Sequence, residues 1–230
     1  MSQKINPISN RLGILQIWSV ILSKYGKNFK YYNKVLYVYF NILIYINHFF
    51  KNSKVFIDNV NIQFLQKITL INIITFFPNN YNCFLKSIDL AKVVSYWLNI
   101  PVIINFYKKD SITNSSFLLV NYTIFLILQG APIKVLFQNI YKILKDQSSN
   151  FKLIYTVYGI KKIQLRGFKI KLSGCFEMSR SQMSKTVKCN FGSLPLTKLN
   201  GYIEYSHNTL YTKFGSCGLK IWLFYEFKSF

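Results

Sequence analysis

Acidic residues are scarce in this sequence. Its 230 residues include 7 aspartates and glutamates against 29 lysines and arginines, which gives a formal net charge of +22. The acids are scattered singly, and neither His48 nor His207 lies in a motif that would supply the partner of a general base. No phosphate-binding loop, nucleophile elbow or metal-ligand spacing occurs either. We therefore expect neither an enzyme nor a protein that depends on a metal or a cofactor.

Cysteines and long apolar runs are also few. The 4 cysteines have no Cys-x-x-Cys spacing, so we interpret them as free thiols in apolar positions rather than as a zinc ribbon or a redox pair. Residues 35–50 carry no full charge, but they fall short of the roughly 20 residues that a membrane-spanning helix needs. Asn41, Asn47 and His48 also interrupt this run, so a buried or partner-facing helix is the better interpretation.

The positive charge is the main functional signal that composition offers. An excess of this size repels itself unless a polyanion neutralises it, and a nucleic acid is the favoured polyanion. The alternative is an anionic membrane surface, which would make the chain a basic membrane-surface protein.

The last third of the chain alternates in the manner of β-strands. Apolar residues in the range 168–172 alternate with Lys169 and Lys171, which predicts a strand with a lysine face. Further alternating runs follow at 202–206, 210–214 and 219–224. We predict an antiparallel meander over residues 159–227, with a tight hairpin at 215–218 whose two glycines supply positive φ angles.

Residues 177–188 lie between these strands and combine three bases with several hydroxyl side chains. Arg180 offers a planar fork to phosphate and Lys185 and Lys188 offer point charges, while Ser and Thr hydroxyls bind the same oxygens. The segment is therefore predicted to face phosphate. A solvated basic loop is the alternative.

The remaining chain predicts a mixture of helices and strands, so the expected fold class is α+β. Strands are predicted at 68–77 and 101–106, and helices at 88–98, 117–128 and 133–144. The last two helices are separated by Gly130-Ala131-Pro132, and the polar residues 108–116 are the best candidate for a linker.

Several motifs of the last third stand in a recognisable order. They are Ser-Gly at 173–174, Glu-Met-Ser-Arg-Ser-Gln at 177–182, Pro-Leu at 195–196 and Gly-x-x-Gly-Leu-Lys-Ile-Trp-Leu-Phe at 215–224. This order resembles the carboxy-terminal domain of the universal small-subunit ribosomal protein S-three. Cys175 departs from the family's pattern, which has an arginine after Ser-Gly.

The amino terminus resembles the same family. Gln-Lys-x-Asn-Pro at 3–7 is followed by Arg-Leu-Gly-Ile at 11–14 and then by Trp18. Because the two matches lie at the two ends and in the right order, the chain is identified as a member of this family.

The resemblance implies an organisation in four parts: an amino-terminal arm with helices (1–54), a divergent K-homology-like domain of the second type (55–108), a linker (109–116) and an α/β carboxy-terminal domain with a mainly antiparallel meander (117–230). A K-homology domain clamps single-stranded RNA with a Gly-x-x-Gly loop. Residues 78–82 contain no glycine, so we expect the RNA grip of this loop to be weakened or lost.

The resemblance also implies a structural role on the head of the small ribosomal subunit, near messenger entry. The residues expected to bind small-subunit rRNA are Lys4, Asn6, Arg11, Lys169, Lys171, Arg180, Lys185, Lys188 and Lys213. In bacterial relatives the helix at 133–144 carries a dense basic row near the mRNA, of which Lys134, Lys142 and Lys145 remain here, so weak mRNA contact is expected. The family's neighbouring proteins are ribosomal proteins S-ten and S-fourteen.

Composition suggests where the chain works. Ile, Asn, Lys, Phe and Tyr are abundant, and A- and T-rich codons encode all five, which suits a mitochondrial genome, with an A- and T-rich bacterium as the alternative. The match begins within three residues of the first methionine, which leaves no room for a presequence. We expect an organelle-encoded protein of the mitochondrial ribosome, in the matrix.

Overall fold

The computed structural model describes residues 5–18, 29–51, 55–65, 67–76, 83–176 and 184–228. The chain divides into two compact units. The smaller unit comprises residues 19–112, and the larger unit comprises residues 1–18 together with 113–230. The boundary therefore falls inside the predicted linker, but the predicted arm at 1–54 is divided, because its first 18 residues group with the second half of the chain.

The smaller unit packs two helices on one face of a three-stranded sheet. Its elements are α1 (Phe29–Lys51), β1 (Phe56–Phe64), β2 (Thr69–Phe76), α2 (Cys83–Leu98) and β3 (Val102–Lys108). The strand order is β1-β2-β3, with β1 antiparallel and β3 parallel to β2. The helix and strands predicted in this region are therefore present, with boundaries shifted by a few residues.

Apolar periodicity explains the packing of this unit. Ile42, Ile46 and Phe50 recur at helical spacing on α1 and are buried, and Ile71 and Ile73 alternate on β2 and are also buried. These side chains form one core with residues from α2. Several side chains of the charge-free run at 35–50 are buried in this core. The interpretation of that run as a packed helix is therefore confirmed.

The larger unit packs two helices on a five-stranded sheet. After a 3-10 turn at Ile112–Asn114 come α3 (Ser116–Leu128), α4 (Ile133–Asp146) and a 3-10 turn at Gln147–Ser149. The strands are β4 (Phe151–Thr156), β5 (Gly159–Gly174), β6 (Lys185–Gly192), β7 (Tyr202–Thr212) and β8 (Gly215–Lys228). All of their pairings are antiparallel, which confirms the α+β class and the antiparallel sheet. The predicted meander is wrong, because β5 pairs with β8 and, among the described residues, β6 pairs with β5 and not with the next strand, β7.

The long strand β5 organises this sheet. One edge of β5 pairs with β8 along most of its length, while its other edge pairs first with β4 and then with β6. A register shift between Leu165 and Gly167 marks the change of partner. The order is β4-β5-β8-β7, and β6 is attached to the second half of β5.

The β7–β8 hairpin corrects one sequence prediction. The turn lies at Lys213 and Phe214, because Thr212 already pairs with Gly215. Gly215 has a φ of +139°, but Gly218 has no positive φ and lies within β8, opposite Ser173 and Thr209. The glycine pair at 215–218 therefore does not form the turn.

Residues 5–18 are tied to the second half of the chain. The Gln16 side chain donates to the carbonyl of Ile203, at 2.6 Å, and the amide of Val157 donates to the carbonyl of Leu15. The amino-terminal segment therefore belongs to the structure of the larger unit.

Candidate nucleic-acid interface

The two faces of the larger sheet can be told apart by the contacts of α4. The Tyr141 ring of α4 lies 5.6 Å from the Phe168 ring and 5.8 Å from the Phe191 ring, measured between centroids. These strand positions therefore face the helices. Since side chains alternate along a strand, Lys169 on β5 and Lys188 on β6 point to the opposite face, which we call the outer face.

Four bases form a row across the outer face. The register pairs Lys188 with Lys171, Lys171 with Lys220, and Lys220 with His207. We call these four residues the basic row. It crosses β6, β5, β8 and β7, and with neighbouring strands about 4.8 Å apart it spans about 14 Å. Lys188, Lys220 and His207 are exposed, and Lys171 is half-buried.

The described part of the chain supplies no ion pair to the lysines of this row. Like charges directly opposite each other destabilise a sheet. The sheet's carboxylates are engaged elsewhere, Glu204 with Lys152 and Glu226 with Arg166. Among the described residues, no carboxylate forms an ion pair with Lys171, Lys188 or Lys220. An anionic partner would therefore relieve a repulsion that the described carboxylates leave in place.

An aromatic row borders the basic row on one side. The register aligns Asn190, Lys169, Trp222 and Tyr205. The Lys169 ammonium lies 5.9 Å from the Trp222 ring centroid, and the ring centroids of Tyr205 and Trp222 are 5.3 Å apart. Burial raises the pKa of Tyr205, so its phenol remains a neutral hydrogen-bond donor. The aromatic rings thus form an apolar floor beside the charges.

A row of small residues borders the other side. Thr186, Ser173, Gly218 and Thr209 are aligned across the same four strands. The Thr186 and Thr209 hydroxyl groups can donate to phosphate oxygens without reading a base sequence, whereas the Ser173 hydroxyl donates to the Gly218 carbonyl, at 3.4 Å. Three parallel rows of hydroxyls, charges and aromatic rings therefore give the outer face the chemistry of a surface for a nucleic-acid backbone.

The structure brings together only some of the residues proposed from the sequence. Lys169, Lys171 and Lys188 lie on the outer face, and Lys213 is exposed in the β7–β8 turn. The Lys185 side chain lies on the helix side of β6. Lys185 pairs with Gly174, which is two residues from the buried Leu172 and therefore on the same face of β5. Lys4 and Arg180 lie outside the described residues, as do residues 78–82 of the proposed K-homology loop.

Arg11 corrects the prediction of an RNA-binding arm. Its side chain is completely buried, so it cannot reach RNA in this fold. Its guanidinium instead donates to the backbone carbonyls of Pro7, Leu196, Lys198 and Gly201, at 2.9 Å from the Pro7 oxygen and 3.0 Å from the Gly201 oxygen. The planar fork of Arg suits such a cluster of acceptors. Arg11 is therefore a structural clamp.

Asn6 also makes a local contact. Its side-chain oxygen accepts from the amide of Ile8, at 3.0 Å, which closes a turn at the start of the described chain. The residue is exposed, so a contact with RNA stays a prediction.

The lysines proposed for mRNA contact lie on α4. Lys134, Lys142 and Lys145 are all exposed and fall within an arc of about 80° around the helix axis. Leu136, Ile140 and other buried residues occupy the opposite side of α4. These lysines therefore form a sparse basic stripe.

Sequence reasoning missed two members of the basic row, Lys220 and His207. Lys220 alternates with the buried Leu219 and Ile221, so the alternation alone places it on the outer face. His207 joins the row only because β7 pairs with β8 in the observed register. The sequence signals the first residue, whereas the second depends on tertiary pairing.

The described residues contain no candidate metal site, because no group of three His, Cys, Asp or Glu side chains among them is placed to hold a metal ion. Among the described residues, Cys175, Cys189 and Cys217 are half-buried or buried and form no disulfide. Within the described ranges, no helix is long and apolar enough to cross a membrane.

Known proteins resemble this chain along its full length. It is 34% identical over 233 residues to the small ribosomal subunit protein uS3m of Chondrus crispus, covering 100% of this chain and 96% of that protein. It is 27% identical over 235 residues to the small ribosomal subunit protein uS3 of Borrelia duttonii (strain Ly), covering 97% of this chain and 75% of that protein. A shorter stretch of 80 residues is 35% identical to the small ribosomal subunit protein uS3c of Euglena longa, and this match covers 34% of this chain and 36% of that protein. No protein-family model matches the chain.

Proposed function

This chain belongs to the uS3 family of small ribosomal subunit proteins, and we propose that it holds ribosomal RNA on the outer face of its larger unit. Its role is that of a structural, non-enzymatic constituent of the small ribosomal subunit. The full-length matches to ribosomal proteins leave the membrane-surface alternative without support.

The observation that carries the RNA proposal is the lysine repulsion in the basic row. Lys171 is opposed by Lys188 on one side and by Lys220 on the other, and none of the three forms an ion pair with a described carboxylate. Phosphate groups would neutralise these charges, and the hydroxyl row beside them adds donors for phosphate oxygens. The face therefore suits sequence-independent binding of an RNA backbone.

The experiment is a salt titration of the full chain with a fragment of small-subunit head rRNA. Each phosphate contact contributes about 0.7 to 0.9 to the slope of log K against log salt, so Lys171→Gln, Lys188→Gln and Lys220→Gln together should lower the slope by about 2 to 3. The matched control replaces three exposed lysines of the smaller unit by Gln: Lys67, Lys92 and Lys108. An equal loss in both triple variants would show that net charge alone binds the RNA, and would refute the proposed face.

We further propose that the smaller unit is a divergent K-homology-like domain with a weakened RNA grip. Its parallel strands β2 and β3, joined through α2, are compatible with such a domain, and residues 78–82 contain no glycine. Asn79→Ala, Asn80→Ala and Asn82→Ala together should then change RNA affinity much less than the basic-row variant. A larger loss in the asparagine variant would reverse this assignment.

We also propose a cellular location for the protein. The match to a mitochondrial uS3m supports a place in the mitochondrial ribosome, and we propose that the protein is encoded in the organelle and works in the matrix. We also propose a position on the subunit head near mRNA entry, beside proteins of the S-ten and S-fourteen families. The sparse stripe of Lys134, Lys142 and Lys145 is consistent with weak contact to mRNA there.

A further inference from the structure

The strand β4 and the turn after it expose an unusual number of apolar side chains. Six large hydrophobic residues between positions 151 and 160 are 50% to 74% exposed. They are Phe151, Leu153, Tyr155, Val157, Tyr158 and Ile160. A concentration of this kind marks an interaction surface rather than ordinary scatter. We call these six residues the β4 patch.

The strand that carries this patch is at the edge of its sheet. Among the described residues, β4 pairs with β5 and with no other strand. Edge strands of stable monomers are usually protected by charges, proline or bulges on the exposed side. Here the only charged residue of β4 is Lys152, whose ammonium contacts Glu204 and the carbonyl of Asn114 rather than facing the patch. As far as the described residues go, the apolar edge is therefore open to a further strand.

Positive charge surrounds this edge. Lys162 pairs with Leu153 in the sheet, and its ammonium lies 4.1 Å from the Phe151 ring centroid. Lys228 pairs with Lys162 on the other side, so two like charges oppose each other next to the patch. Lys161 lies 5.2 Å from the Tyr158 ring centroid. A complementary surface would therefore place carboxylates near these lysines and apolar groups over the rings.

We propose that the free edge of β4 binds an extended segment of another protein as an added strand, and that this segment alternates apolar and acidic side chains. A strand edge offers amides and carbonyls at the spacing of another polypeptide backbone. The aliphatic members Leu153, Val157 and Ile160 favour protein over RNA, because only aromatic rings provide stacking platforms for bases. By register, Phe151, Leu153, Tyr155 and Ile160 also lie on the outer face, but the register shift between Leu165 and Gly167 separates them from the basic row, and the patch contains no residue of that row.

The experiment measures binding of a labelled peptide to the full chain by fluorescence anisotropy. The probe is a synthetic peptide of about ten residues, the length of a long strand, in which valine alternates with glutamate. One control peptide alternates valine with lysine, and another is the acidic peptide with methylated backbone nitrogens, which removes the donors needed for strand addition. We expect the acidic peptide to bind at least about tenfold more tightly than either control.

The variants locate the binding site on β4. Leu153→Thr with Tyr155→Thr keeps strand propensity but removes exposed apolar surface, and should weaken peptide binding by about tenfold. The matched control is Tyr211→Thr on β7, which is 76% exposed at the opposite edge of the same sheet and should leave binding unchanged. A thermal melt of each variant checks that the fold is retained.

Two results would overturn the proposal: no preference of the full chain for the acidic peptide over its controls, or equal weakening by the β4 and Tyr211 variants. Preferential loss of single-stranded oligouridine binding in the β4 variant would assign the patch to RNA instead. The salt slope with rRNA separates this proposal from the preceding one. It should be unchanged in the β4 variant, while the basic-row variant should still bind the acidic peptide.

Discussion

At the scale of single residues, the two glycines after the β7–β8 turn have different roles. Gly215 has a φ of +139°, a region that side chains rarely adopt, whereas Gly218 lies in regular strand. A Cβ atom at Gly218 would come no closer than 3.7 Å to the Ser173 hydroxyl oxygen, an ordinary contact. Only Gly215 therefore requires the conformational freedom of glycine.

We predict that Gly215→Val lowers the free energy of unfolding by about 1 to 3 kcal/mol, because it strains the backbone next to the turn. Gly218→Val should change it by less than about 1 kcal/mol, since valine suits a strand. Urea unfolding of both variants measures the difference. A larger loss at Gly218 would mean that the hairpin has a register other than the one described.

The same residues show what local sequence can predict. Alternation correctly placed Lys169 and Lys171 on one face, because a period of two depends on nothing beyond the strand itself. It could not place the turn, since two glycines close together suit several hairpins and only the pairing of Thr212 with Gly215 selects one. Arg11 was misassigned for a related reason, because its carbonyl partners lie far away in sequence.

At the scale of elements, the amino-terminal segment acts as a strap on the larger unit. Arg11 clamps the loop before β7, and Gln16 binds the carbonyl of Ile203 within β7. These bonds join two parts of the chain that no turn connects. The segment should therefore contribute to the stability of the β7 edge.

We predict that Arg11→Met lowers the free energy of unfolding by about 3 kcal/mol, because it leaves several buried carbonyls without their charged donor. Arg11→Lys should lose less, since an ammonium keeps a charge and three donors but not the planar fork. Hydrogen exchange should show the loss of protection in β7 rather than in the smaller unit. Equal loss in both units would contradict the assignment of the segment to the larger unit.

The bounds of helices and strands were easier to predict from the sequence than the segments against which they pack. The helices α3 and α4 began and ended within about two residues of the predicted bounds, because Pro132 and the polar segment before Ser116 mark their limits. The division of the predicted arm was not predictable, since it depends on where residues 5–18 pack and not on their own pattern. The sequence predicted the strands that carry the basic row. It did not predict the register between them, which aligns the four residues.

At the scale of the whole molecule, the net charge of +22 makes the isolated protein sensitive to salt. Self-repulsion destabilises a compact state, and salt screens it over a Debye length of about 10 Å at 0.1 M. The basic row concentrates part of that repulsion on one face.

We predict that the melting temperature of the RNA-free chain rises between about 0.1 and 0.5 M potassium chloride, by about 2 to 4 °C for each kcal/mol of repulsion screened. Differential scanning calorimetry measures the rise, with chloride chosen because sulfate stabilises proteins by another route. The variant with Gln at positions 171, 188 and 220 should show a smaller rise. A melting temperature that falls with salt would mean that attractive ion pairs outweigh the repulsion.

The Arg11 clamp also has a consequence for how the chain folds while it is being made. Gly201, one of the carbonyls that the guanidinium binds, is synthesised 190 residues after Arg11. All residues of the smaller unit, 19–112, emerge long before that point, so this unit can fold first, as domains generally do during synthesis. The first 18 residues of the polypeptide are thus among the last to reach their final position, because they cannot bind the larger unit until residues up to β7 have been synthesised.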